Sequence, residues 1–317
     1  MSAPAETKSN SDERVLGALA HGSAIVFFFG MAIAAAIWSI YRRKSKYIAF
    51  QALQALGYQV ISVTLFILFY LLLSILIMPI SFGAIIFLSQ QSPSSSEFFP
   101  FFYVLFFWGA VFLCFGLYVL VALIGAGFNL AGKEFRYPLL GKWLARYVRY
   151  QPAVESNEAS MNEEREERWV SAMSHASVVI PMWGMIVPLI TWIMDKSRSQ
   201  FLRFQSLQAL VYQAIGFLGY ALSMVLYLFG TFFFVGSIIF LQPSRDSRWM
   251  SIPIIVFFLI MLLFVFVYLV LMPLCQILGQ WAAIRILQGC DYRYPLLGNW
   301  LKRLLDRSAP VPVGDSK

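Results

Sequence analysis

The chain is 317 residues long, 60% hydrophobic and only 13% charged, with a mean hydropathy of +0.71. Soluble domains carry about 25% charged residues, so a water-soluble globular fold is excluded. Charge-free runs such as 60–78 and 252–278 are long enough to cross a bilayer core of roughly 30 Å. The net charge of +8 comes from Lys and Arg placed beside apolar runs, which reads as a topology signal and not as a nucleic-acid surface.

The first dozen residues are polar and of mixed charge, without the basic start and short apolar core of a cleaved signal peptide. An internal repeat then governs the rest. Glu13-Arg14, His21, Gly30-Met31 and Trp38 recur as Glu167-Arg168, His175, Gly184-Met185 and Trp192 at one offset of 154. Residues 132–144 (GKEFRYPLLGKWL) recur as 289–301 (GCDYRYPLLGNWL) at an offset of 157. The expected division is a polar tail (1–13), membrane repeat 1 (14–150), an acidic flexible linker (151–167), membrane repeat 2 (168–307) and a C-terminal tail (308–317).

Each repeat opens with an apolar segment, Val15–Tyr41 or Trp169–Met194, which carries the single histidine of its half. At 26 or 27 residues it could cross the membrane as one helix of about 40 Å. Pro181, Gly184 and Pro188 in the second copy argue instead for a broken segment, each part too short to span. Charge decides between them. If the segment dips in and returns, all Lys and Arg except Arg245 and Arg248 face one side; if it crosses, the split is nearly even. The positive-inside rule favours the re-entrant form and parallel repeats, although inverted repeats are a common transporter design.

After a basic patch (Arg42, Arg43, Lys44 and Lys46, or Lys196, Arg198 and Arg203) comes FQALQALGYQ at 50–59, or FQSLQALVYQ at 204–213. This opens a long helix expected to reach about Met78 or Phe234. Gln51, Gln54 and Gln59, with their counterparts Gln205, Gln208 and Gln213, form a polar stripe on an apolar helix. An amide in hydrocarbon must find partners, so the stripe either ties neighbouring helices or lines a polar path. His21 and His175 pose the same choice between a hydrogen-bonded structural imidazole and a proton-sensitive pair.

A third helix is expected over about Phe101–Ala131 or Ile252–Leu287, with loops at 92–100 and 243–252. Pro138 and Pro295 should interrupt it. A short amphipathic helix follows, with Trp143 or Trp300 on the apolar side and Arg146 or Arg303 opposite. Such a helix suits the interface, anchored by its tryptophan and by cations on anionic lipid phosphates. No catalytic motif, cofactor loop or metal-ligand spacing stands out, and Cys114, Cys275 and Cys290 read as small hydrophobes. The fold class expected is an all-α integral membrane protein of two tandem repeats, each with a broken or re-entrant first segment, two long transmembrane helices and an interfacial helix.

Glu-Arg followed by His-x-Ser, a break before Trp, Phe-Gln-x-x-Gln-Ala-Leu and a closing Arg-Tyr-Pro resemble the Tic-twenty-like bacterial membrane domain. That family is named after a chloroplast inner-envelope protein-import component. SQFLRFQSLQA at 199–209 is the stretch most similar to it, and the resemblance extends over both halves. It implies a four-helix unit with both ends on one side. It also implies a non-enzymatic multi-pass protein of a bacterial plasma membrane, a scaffold or part of a protein-translocating assembly with membrane protein partners and no cofactor. A small-solute or ion transporter with a polar site between the repeats is the alternative reading.

Overall fold

The computed structural model describes residues 11–91, 93–153, 159–240 and 248–307. Its helices are α1 (Ser11–Gly22), α2 (Gly30–Tyr41), α3 (Lys46–Gln91), α4 (Pro93–Leu130) and α5 (Leu140–Val148) in the first repeat. The second has α6 (Glu163–Ala176), α7 (Ile186–Asp195), α8 (Gln200–Phe240), α9 (Arg248–Leu287) and α10 (Leu297–Arg307). Among the described residues there is no strand, and one isolated bridge pairs Gln151 with Ser160. Among the described residues five stretches are long and apolar enough to cross a membrane: Ser11–Tyr41, Lys46–Ser81, Val104–Leu130, Gln200–Gly236 and Ile255–Leu287.

The first of these stretches doubles back on itself. Helix geometry fails at Val26 and Phe27, where φ of Phe27 reaches 46°. The Ser45 hydroxyl, just past α2, donates to Glu13 at the start of α1 over 2.5 Å, so both ends of the segment meet. In the second repeat Ser199 donates to Glu167 over 2.7 Å in the same way. Proline marks the second break, where Met182 takes φ 65°. The first copy has none there and breaks all the same. Its Ser23 hydroxyl bonds the carbonyls of Ala20 and Gly30, and the Gln59 amide reaches Ala20 and Ser23, so side chains satisfy the freed backbone. The turn is tight enough that a Cβ on Gly30 or Gly184 would collide with the carbonyl oxygen of Ser23 or Ser177.

The long helices run further than the sequence suggests. α3 continues past Pro79 to Gln91, about 69 Å at the standard rise. Pro93 then opens α4 at the position where a missing amide hydrogen is least costly. The expected loop at 92–100 is therefore mostly helix, with residue 92 outside the described residues. Likewise α8 reaches Phe240 and α9 starts at Arg248, leaving 241–247 outside the described residues. Proline does not stop α4 and α9. They end earlier, at Gly132 (φ 74°) and Gly289 (φ 92°), with the amides of Lys133 and Cys290 bonded back to Phe128 and Arg285.

Within each repeat α1 packs on α4 and α2 on α3, as α6 does on α9 and α7 on α8; α2 on α7 and α3 on α6 join the repeats. One buried core, containing Trp38, Phe50, Leu53, Leu144, Trp169 and Leu202, runs through both. Part of the acidic stretch expected as flexible linker is helical. Asn162 caps α6 by accepting from the Arg165 amide, and Glu166 is 1% exposed; residues 154–158 lie outside the described residues.

Candidate functional site

His21, in the last turn of α1, is fully buried. Its Nδ1 lies 2.8 Å from the Tyr137 hydroxyl and its Nε2 lies 2.9 Å from Gln51 Oε1. The Gln51 carbonyl can only accept, so Nε2 carries a proton; in that tautomer Nδ1 accepts from the Tyr137 hydroxyl. Both ring nitrogens are thus occupied by partners within the fold. Gln54 donates to the Phe135 carbonyl and accepts from the Tyr137 amide, which fixes the chain leading into Pro138. Tyr58 stacks on Tyr137 with centroids 4.1 Å apart.

The second repeat builds the same network. His175 meets the Tyr294 hydroxyl at 3.0 Å and Gln205 Oε1 at 3.1 Å. Gln208 donates to the Tyr292 carbonyl and accepts from the Tyr294 amide, and Tyr212 stacks on Tyr294. Gln213 bonds the Ser174 carbonyl across the second break. His, Gln stripe and Arg-Tyr-Pro thus converge on one point in each half, tying the folded-back segment to the helix pair. His21 and His175 do not face each other, and the glutamines serve their own repeat.

Sequence reasoning missed Tyr137 and Tyr294, whose recurrence within Arg-Tyr-Pro was the available signal. It also missed Asn129. The Tyr47 hydroxyl donates to Asn129 Oδ1 over 2.9 Å, and Asn129 donates to the Gly125 carbonyl. Phe201 and Ile286 take these two places in the second repeat, so both members of a polar pair give way to apolar residues together. Replacing both partners leaves no buried group unpaired.

A second cluster sits where the repeats meet. Arg42 pairs with Glu167 at 2.6 Å and stands 3.8 Å from Asp195. Lys46 pairs with Glu166 at 2.8 Å, and the Trp38 indole donates to Glu166. The Trp169 indole donates to the Leu53 carbonyl, and Arg198 to the Ser39 carbonyl. Burial raises the Glu166 carboxyl above its ordinary value, opposed by its bond to Lys46. The basic patches and the acids at the end of the expected linker are therefore also the inter-repeat clasp, which sequence reading treats as topology signal and solvated chain.

The expected interfacial anchors divide. On α5, Leu144 and Val148 are buried while Trp143 stays 42% exposed, beside Trp169, and Arg146 is exposed. The Tyr147 hydroxyl donates to the Leu287 carbonyl at the end of α9, tying α5 to the other repeat. On α10, Leu301 is buried, Trp300 is 54% exposed and Arg303 is exposed. Among the described residues no group of three His, Cys, Asp or Glu has the arrangement of a metal site.

The sequence profile of the MamF/MmsF family, described as the magnetosome magnetite crystal formation protein family, matches residues 12–144 and again residues 166–301. The chain belongs to that family. No curated protein and no solved structure matches it. Membership in MamF/MmsF overturns the resemblance to the Tic-twenty-like domain, and with it the protein-translocation, scaffold and transporter readings. The residues that carried that resemblance are those of the histidine networks and the clasp. They report how a repeat is built, which is too little to choose a family. Both MamF/MmsF segments contain the whole of one network each.

Proposed function

We propose that this multi-pass protein resides in a magnetosome membrane and takes part in magnetite crystal formation. The observation that carries the proposal is that each repeat matches the MamF/MmsF family over nearly its full length. The doubled-back segments, α1–α2 and α6–α7, enter the bilayer and return, leaving four spanning helices. Support comes from the Glu–Ser contacts that close each segment and from the one-sided distribution of cations. Basic patches and both short helices then lie on the cytoplasmic face, with Trp143 and Trp300 at headgroup depth. The end of α3 with the start of α4, and the end of α8 with the start of α9, then face the compartment that holds the crystal.

The protein acts in this role without catalysing a reaction. Both histidines are occupied by hydrogen bonds within the fold, which supports a structural part for them. The test is deletion of the gene from a magnetite-forming bacterium, with crystal size and number measured by electron microscopy. Altered crystals, restored by the full chain, are expected. Crystals unchanged in size, shape and number contradict the proposal.

A further inference from the structure

A cleft of about 690 Å³ opens where the two repeats meet near α5. Thr64 and Leu65 of α3 form one wall, and Ile284 and Leu287 of α9 form the other. Trp169 and Met173 of α6 line it between them. Its one charged edge is Lys142 and Arg146, one turn apart on α5, flanking the half-exposed Trp143. Both cations are exposed, and among the described residues neither makes an ion pair. The apolar walls are nearly free of polar partners; Gln280, the one amide there, already donates to the Ala176 carbonyl.

We infer that this cleft is a binding site for one anionic phospholipid, its acyl chain between α3 and α9 and its phosphate on Lys142 and Arg146. Three observations meet here. The volume lies within the roughly 300–1,000 Å³ typical of small-ligand sites. The walls are apolar and open to the side, as an acyl chain requires. The two unpaired cations stand at the end where α5 carries its tryptophan, and basic pockets between membrane helices are where acidic headgroups bind. The site is asymmetric: α10 packs on α8 of its own repeat, and Asn299 stands where Lys142 does. It is made by the joining of the repeats, so a lipid there would bridge them. The inference needs the membrane insertion but not the role in crystal formation.

Native mass spectrometry of the full chain released from detergent tests it. Phosphatidylglycerol and phosphatidylcholine with the same acyl chains are added in turn. One phosphatidylglycerol per chain should survive activation that strips phosphatidylcholine. Lys142→Gln with Arg146→Gln should weaken its retention by roughly thirtyfold, from the loss of two juxtamembrane cations. Ile284→Trp, at a half-exposed wall position, should block retention while leaving those cations in place. Lys302→Gln with Arg303→Gln, on α10, should leave retention unchanged. Equal retention of the two lipids, retention surviving in Ile284→Trp, or equal loss in the α10 variant overturns the inference, the last because it would mean general attraction to basic helices.

Discussion

Each histidine is held between a tyrosine hydroxyl and a glutamine carbonyl, and neither ring nitrogen is left for another partner. Tyr137→Phe removes the donor to His21 Nδ1 and strands a buried acceptor, which costs about 1 kcal/mol. Bonds in membrane bundles average nearer 0.6 kcal/mol. The melting temperature in detergent should therefore fall by a few degrees for Tyr137→Phe and again for Tyr294→Phe, and the two losses should add, because the networks share no residue. A melting temperature unchanged by both substitutions contradicts the structural role. The glutamine stripe and the histidines were legible in the sequence because polar residues on apolar helices stand out. The tyrosines were not, since a tyrosine beside a proline near an interface has many ordinary explanations. Glu166 gives a pH dependence. Its carboxyl is raised by burial, with Lys46 as its closest cation and Arg42, Trp38 and Glu163 nearby. A raised folded value favours the protonated form, so its contribution is complete below the ordinary glutamate range and is lost as pH rises through the folded value. Stability should therefore increase as pH falls through the raised folded value toward the ordinary glutamate range. Glu166→Gln should flatten that dependence; an identical slope in the variant would remove Glu166 as its source.

At the scale of elements, the break in the first segment followed from Pro181, Gly184 and Pro188 in one copy and had no such signal in the other. Phe27 turns the chain without proline because Ser23 and Gln59 receive the backbone groups it frees. That compensation comes from residues 36 positions apart, a spacing that local pattern reading does not connect. The ends of α4 and α9 fall where the sequence suggests, at Leu130 and Leu287, but Gly132 and Gly289 set them and not the later prolines; the boundaries that differ are the ends of α3 and α8 and the starts of α4 and α9. The two short helices should also differ in behaviour. α5 is fastened by Leu144 and by the Tyr147 bond to α9, while α10 packs chiefly on α8 of its own repeat. Trp300→Asp should thus expose α10 to protease in membranes, and Trp143→Asp should leave α5 protected. Equal protection of both would show that their tryptophans do not place them.

For the whole molecule, the duplication and the doubled-back segment together support the proposed topology. The start of each α1-type helix meets the end of its α2-type partner, and the acids of α6 pair with the cations at the α2–α3 junction. The same end of both repeats is therefore gathered at one end of the molecule, which supports the proposed parallel arrangement. The family was not legible, because the motifs that stand out in the sequence are those that hold the repeat closed. The proposed residence in a magnetosome membrane allows a direct test on intact vesicles isolated with the cytoplasmic face outward. Single cysteines are placed by Ser94→Cys, at the start of α4, and Ser197→Cys, between α7 and α8, after Cys114, Cys275 and Cys290 are replaced. A membrane-impermeant maleimide should label Ser197→Cys in intact magnetosomes and reach Ser94→Cys only after the membrane is dissolved. Labelling of Ser94→Cys with Ser197→Cys protected, or of both alike in intact vesicles, would contradict parallel repeats with re-entrant first segments.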